Sequence, residues 1–320
     1  QDETVSSISS LASIYSLYPV TLTSNSLMSY YLPMPFVLGN VGGRAVLVSD
    51  QHYFDVEQLS NGSLSSDPMH AIAAEKQLHK LASQIAAATP TGTINNVVLG
   101  PPVTMPRNCY AVGLNYKSHA DEASMQLPTN PLVFTKFPSC LVGPTSDIEM
   151  RSDGVDYEVE LVVIIGTGGK DIDRENAWSH VAGVTVGQDI SDRFAQFAAQ
   201  PPHFDLGKSF DTFGPIGPFV YSTDHFADLN NFVMETRVND EVRQSDSTKN
   251  LIFDVPFLIE YLSRITALTS GDIIFTGTPD GIGATQGKFL KDGDVVTSTI
   301  QGIGTLTNVC RRVSNYEKAK

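Results

Sequence analysis

Asp156-Tyr157-Glu158-Val159-Glu160-Leu161-Val162-Val163-Ile164-Ile165-Gly166 reads as a β-strand with two carboxylates set in its first half. Side chains alternate across a strand, so Glu158 and Glu160 share one face, about 7 Å apart along the backbone. Beyond them that face carries Val162 and Ile164, while Val159, Leu161, Val163 and Ile165 occupy the other, so the strand is expected to be buried on both sides. Two anions side by side near a core must be protonated, paired with bases or joined by a cation. Carboxylate oxygens suit a hard divalent ion: Mg²⁺, Mn²⁺ or Ca²⁺. The alternative for this segment alone is an exposed edge strand with solvated glutamates.

A third acid follows a second strand pattern, Gly183-Val184-Thr185-Val186-Gly187-Gln188-Asp189. Asp189 either completes a three-carboxylate site with Glu158 and Glu160 or caps a helix. In Asn115-Tyr116-Lys117-Ser118-His119-Ala120-Asp121-Glu122, His119 and Glu122 lie three apart and meet on one face of a helix. Such a pair serves as a general-base dyad, the carboxylate fixing the imidazole tautomer; a surface salt bridge is the plainer reading. Gly207-Lys208-Ser209 is no phosphate loop, because Pro202 stands where that pattern needs glycine. Lys208 is read instead as a cation beside the acids, or as a counter-ion to Asp205 or Asp211. Thr276-Gly277-Thr278-Pro279 ends a strand in a turn whose N–H groups and Thr278 hydroxyl suit a carboxylate or oxyanion, though an ordinary turn needs the same glycine.

The 320 residues carry a formal charge of −14, which argues against nucleic acid as a partner. No apolar stretch is long enough to span a membrane. Cysteines at 109, 140 and 310 suggest neither a disulfide framework nor a zinc site, and a reducing, cytoplasmic setting is expected. Residues 1–27 are Ser-rich and open with Asp2 and Glu3 in place of a basic region, so they are read as a leader or extension and not as a signal peptide. Residues 28–103 are expected to form a small α+β domain, with strands near 44–48 and 53–56 and helices over 68–78 and 80–88. From 104 to 320 the pattern is mainly β, with strands near 131–137, 156–166, 182–189, 216–222, 231–239, 271–277 and 293–300. Helices are expected over 173–181 and 254–266. No G-x-S-x-G, H-E-x-x-H or strand-linked G-x-G-x-x-G motif is present, which removes support for a serine hydrolase or a nucleotide-dependent enzyme.

In order and spacing, these pieces resemble the fumarylacetoacetate hydrolase family. The matching residues are Gly113-Leu114-Asn115-Tyr116 with His119 and Glu122, Glu158 with Glu160, Asp189 with Arg193 and Gln196, Gly207-Lys208-Ser209-Phe210-Asp211, and Thr276-Gly277-Thr278-Pro279. The likeness runs from about residue 103 to about 312. It implies a mixed β-sandwich roll that forms a homodimer, with Glu158, Glu160 and Asp189 binding Mg²⁺ or a similar ion and a small oxo acid as substrate. It also implies catalytic roles for His119, Glu122 and Lys208, and substrate contacts from Tyr116, Arg193, Gln196, Thr278 and Gly277. Hydrolysis of a C–C bond in a β-diketo acid is the expected reaction, with decarboxylation, hydration or keto–enol isomerisation of a 2-oxo acid as the alternative. Aromatics in the run Phe194 to Phe204 suggest a partly apolar pocket.

Overall fold

The strand Val159–Ile165 is buried at every position and divides two apolar cores. Val162 and Ile164 enter one core with Phe36, Leu47, Phe213 and Phe275. Leu161, Val163 and Ile165 enter the other with Val184, Leu258, Leu262 and Leu306. Each fully buried aliphatic side chain contributes about 1.5–3 kcal/mol, so this strand alone anchors much of the fold. The computed structural model describes residues 34–122 and 126–313; the leader or extension read at 1–27 lies outside the described residues.

Around this strand the larger sheet builds outward. It pairs antiparallel with Val181–Gln188 on one side and Ile273–Phe275 on the other. The first direction continues through Gly214–Tyr221, Val37–Val41, Arg44–Ser49 and His52–Asp55 to Gly92–Thr93. The second continues through Cys109–Gly113, parallel to Ile273–Phe275, to Leu132–Thr135. A five-stranded sheet, in the order Glu241–Ser247, Val233–Val238, Val295–Ile300, Gly304–Arg312, Ile148–Met150, packs on the second core through Met234, Ile300 and Leu306. Helix Val255–Ile265 packs there as well, its start fixed by the Asp254 carboxylate accepting from the Phe257 N–H. These mixed sheets with few helices are the mainly β, α+β architecture that the strand pattern predicts.

Several local expectations shift. Strand Val37–Val41 joins the larger sheet through Val37 and Leu38, which pair with Tyr221 and Val220. The helices expected over 68–78 and 80–88 are Pro68–Ala73, Glu75–Ala82 and a 3-10 turn, Ile85–Ala87. Asp67 accepts from Met69 and His70 N–H and sets the first start, and the break falls at Ala74, whose φ of −102° and ψ of 30° leave the helical region. The 173–181 segment winds as a 3-10 helix, Arg174–His180, closing into the next strand at Val181. Strands Glu241–Ser247 and Gly304–Arg312 have no counterpart in the expected set. Much of each is exposed, so neither carries a strong apolar alternation.

Candidate active site

Antiparallel register assembles the acids. Val159 lies opposite Gln188 and Glu160 opposite Gly187, so the residues just outside the paired region, Glu158 and Asp189, become neighbours. The Asp189 N–H donates to the Glu158 carbonyl at 2.9 Å. Gly187 keeps the approach close, since a Cβ there would stand 2.4 Å from Val162 and 2.7 Å from Phe275. Glu158, Glu160 and Asp189 are all buried, and one carboxylate oxygen from each lies within 4.8 Å of the other two.

Three cations surround them. The Lys208 ammonium donates to Glu158 at 2.8 Å, Asp189 at 2.7 Å and Ser191 Oγ at 2.8 Å. Lys136, wholly buried at the end of strand Leu132–Thr135, donates to Asp189 at 2.7 Å and to the Lys208 carbonyl. Arg193 spends all three nitrogens: on Asp156 at 2.9 Å, on Glu158 at 2.5 Å and on Gln196 Oε1 at 3.0 Å. Burial alone would raise the Glu158 carboxyl, but Lys208 and Arg193 overcome it and hold it down to about 2. For Lys136 burial works downward and Asp189 prevails, leaving the amine pushed up to about 12.

Glu160 is different. Among the described residues its one hydrogen bond comes from the Gly277 N–H at 2.7 Å, and no basic side chain forms an ion pair with it. Burial first, then Asp189 and Glu158, push its carboxyl well above the ordinary range. A buried acid with like-charged neighbours and no base of its own calls for a proton or a metal. The donor set fits a hard divalent ion, since oxygens at about 2.1–2.5 Å from a common centre span the observed separations. Glu158, Glu160 and Asp189 would hold it.

Above this floor opens a cavity of about 520 Å³. His119, Glu158, Arg193, Gln196, Lys208 and Thr278 all face it. His119 stands on the short helix Lys117–Glu122, its Nδ1 3.7 Å from Glu122 Oε2 and without a hydrogen-bond partner. Glu122 in turn accepts from Thr285 Oγ1 at 2.6 Å and from the Gly281 N–H at 3.1 Å. Burial raises the Glu122 carboxyl, yet His119, Thr285 and Gly281 together leave it below the usual value. His119 thus faces the cavity, while Glu122 stands behind it, partly exposed.

Two expected substrate contacts, Tyr116 and Gly277, do not line the cavity. Tyr116 is fully buried in the second core, its hydroxyl against Met234 Sδ at 3.6 Å. It precedes the helix and bridges to Leu251 in strand fashion, so helical spacing does not carry it to the side of His119. Gly277, at φ +105°, has its N–H engaged by Glu160, and a Cβ there would meet Asn115 Cβ at 2.7 Å. Arg193 lines the cavity, with its three nitrogens on Asp156, Glu158 and Gln196. Thr278 does line the cavity, with its hydroxyl donating to the Val159 carbonyl at 2.9 Å and accepting from Gln244 at 2.8 Å.

Sequence reasoning missed Lys136, Asp156 and Gln188. Lys136 had a signal, a lone cation closing the run Leu132-Val133-Phe134-Thr135. Asp156 binds Arg193 and accepts from the Gly283 and Ala284 N–H groups at 2.6 and 3.0 Å. Gln188 accepts from the Glu158 N–H at 2.8 Å and donates to Ser298 at 2.7 Å, tying the floor to the five-stranded sheet. Nothing in the spacing of either residue reveals these partners.

The fumarylacetoacetate hydrolase C-terminal domain matches residues 108–311. A mitochondrial oxaloacetate tautomerase of Bos taurus is 40% identical over 238 residues, 73% of this chain and 76% of that protein. A fumarylacetoacetate hydrolase structure from Exiguobacterium antarcticum has a TM-score of 0.75 and 34% identity, covering 88% of this chain and all of the other. Maleylpyruvate hydrolase from Sphingobium, in complex with manganese(II) and pyruvate, has a TM-score of 0.74 and 26% identity over 86% of this chain and 99% of its own. Sheet order, buried triad and matched span agree, and the chain belongs to the fumarylacetoacetate hydrolase family.

Proposed function

We propose that the chain is a divalent-metal-dependent hydrolase that cleaves a C–C bond in a β-diketo acid of acylpyruvate or fumarylpyruvate type, with Mg²⁺, Mn²⁺ or Ca²⁺ at Glu158, Glu160 and Asp189. The observation that carries this reading is the buried triad, whose Glu158 lines a cavity that His119 also faces. When bound, the ion supplies Lewis-acid polarisation and charge neutralisation. His119 takes a proton from water, and the 3.7 Å gap to Glu122 closes as the substrate packs the cavity, fixing the imidazole through Nδ1. The water oxygen adds to the distal carbonyl, the C–C bond breaks towards the oxo acid, and His119 returns the proton to the carbanionic carbon. Lys208, buried against Glu158 and Asp189, would stabilise that negative charge through its field.

Keto–enol isomerisation of a 2-oxo acid is a second reading, favoured by the tautomerase named among the relatives. His119 would then take its proton from carbon and not from water. Decarboxylation and hydration would use the same floor. In either reading residues 104–320 carry the chemistry, and the chain works as a homodimer with neither nucleic acid nor membrane as partner. Among the described residues no helix is long and apolar enough to cross a membrane. Three buried free thiols suit a reducing compartment such as the cytoplasm.

The deciding experiment incubates the protein with Mn²⁺ and an acylpyruvate, following enol absorbance and pyruvate release together. Pyruvate formation that disappears in Glu158→Ala supports hydrolysis. Absorbance change without pyruvate would replace hydrolysis by tautomerisation, and equal inactivity of parent and variant would overturn both.

A further inference from the structure

Beyond the polar floor, the cavity wall is aromatic. Phe134 comes from strand Leu132–Thr135, Phe204 from helix Phe204–Gly207, and Phe197 from the turn that ends helix Arg193–Gln196. The rings of Phe134 and Phe204 are 5.7 Å apart and those of Phe197 and Phe204 6.4 Å. Lys208 Nζ lies 5.3 Å from the Phe134 ring, so the wall begins where the floor ends. Leu132 and Ile282 also line the cavity, and Phe197 keeps 55% of its surface exposed at the mouth. An exposed aromatic beside an enclosed apolar wall is surface waiting for a partner.

Charge sharpens the point. Of the cations facing the cavity, Arg193 has all three nitrogens engaged by Asp156, Glu158 and Gln196, and Lys208 has its three donor positions engaged by Glu158, Asp189 and Ser191. His119 is the remaining basic group among the described lining residues. A carboxylate at the far end of a substrate would therefore lose its water with no cationic donor to receive it. A cavity of about 520 Å³ has room for on the order of 17 waters, so a pyruvate-sized head fills a minor part of it.

We infer that this chain selects oxo acids whose distal substituent is apolar, an aryl or branched alkyl group seated on Phe134, Phe197 and Phe204, over substrates ending in a second carboxylate. The inference rests on the proposed oxo-acid site and narrows its substrates to the acylpyruvate type, setting the fumarylpyruvate type aside. Stacking on the ring wall and removal of apolar surface from water supply the preference.

Titration calorimetry of the Mn²⁺-loaded protein with oxamate, N-phenyloxamate and N-(carboxymethyl)oxamate tests it. The expected result is at least tenfold tighter binding of N-phenyloxamate than of oxamate, about 1.4 kcal/mol, with no gain for the carboxymethyl compound. Phe197→Ala, at an exposed position that leaves the core intact, is expected to bring the phenyl-to-oxamate ratio below threefold. Oxamate binding with no phenyl gain, a carboxymethyl gain, or a ratio untouched by Phe197→Ala would overturn the inference and leave the oxo-acid site standing. Failure of oxamate itself to bind would overturn both.

Discussion

Lys136 and Asp189 form a 2.7 Å ion pair in which neither side chain has any exposure to solvent. Breaking one partner of such a pair leaves a buried charge uncompensated, at a cost of about 3–5 kcal/mol. Lys136→Met is therefore expected to lower stability by that amount in urea unfolding. Adding Asp189→Asn should cost less than the sum of the two single changes, because both remove the same pairing. Additivity would show that Lys136 is held by something other than Asp189.

Glu160 is the carboxyl that the fold strains to ionise. Glu160→Gln keeps its shape and removes the like-charge conflict with Asp189 and Glu158, so the metal-free variant is expected to melt higher than the parent. The parent should gain about 2.7 kcal/mol at Mn²⁺ one hundred times its dissociation constant, and the variant almost none. Differential scanning calorimetry with and without Mn²⁺ reads both effects, and a full Mn²⁺ gain in the variant would remove Glu160 from the ligand set.

His119→Asn should lower kcat by about 10²–10⁴ while Mn²⁺ binding by calorimetry stays within error. Thr285→Val acts one step further out, since its hydroxyl holds Glu122 at 2.6 Å. A smaller fall in kcat is expected there, with a shifted pH profile and little change in KM. An unchanged profile would make Thr285 a purely structural contact.

A pH effect separate from the site comes from His79. The Glu75 carboxylate, 3.9 Å from its Nε2, raises its pKa, burial opposes this, and the Met34 carbonyl and Asp224 add to the rise. A histidine with a raised folded pKa stabilises fully below its unfolded value of about 6.5 and ceases to do so as pH climbs through the folded value. The melting temperature of the parent minus that of His79→Gln should thus be larger at pH 6 than at pH 8.5. A difference that is flat or grows with pH would contradict the pairing.

The central strand was legible because burial on both faces leaves an unmistakable apolar run, and two glutamates inside it stand out. Asp189 followed from its place after a strand, although only the register explains why it meets Glu158. Lys136, Asp156 and Gln188 stayed hidden because their partners are 53, 37 and 30 residues away, beyond any local periodicity. Tyr116 misled for the opposite reason: it sits within a matching motif, yet the chain is still extended at that point and its side chain turns into the core.

The turn at residues 281–285 touches both halves of the site. Gly281 and Thr285 hold Glu122, while Gly283 and Ala284 hold Asp156, whose carboxylate fixes Arg193 and through it Glu158. Four residues within five positions therefore act as a caliper between Glu122 and the acids Asp156 and Glu158. Because a displacement of about 1 Å can cost two orders of magnitude in rate, an insertion or deletion there would detune the chemistry while leaving every reacting side chain in place.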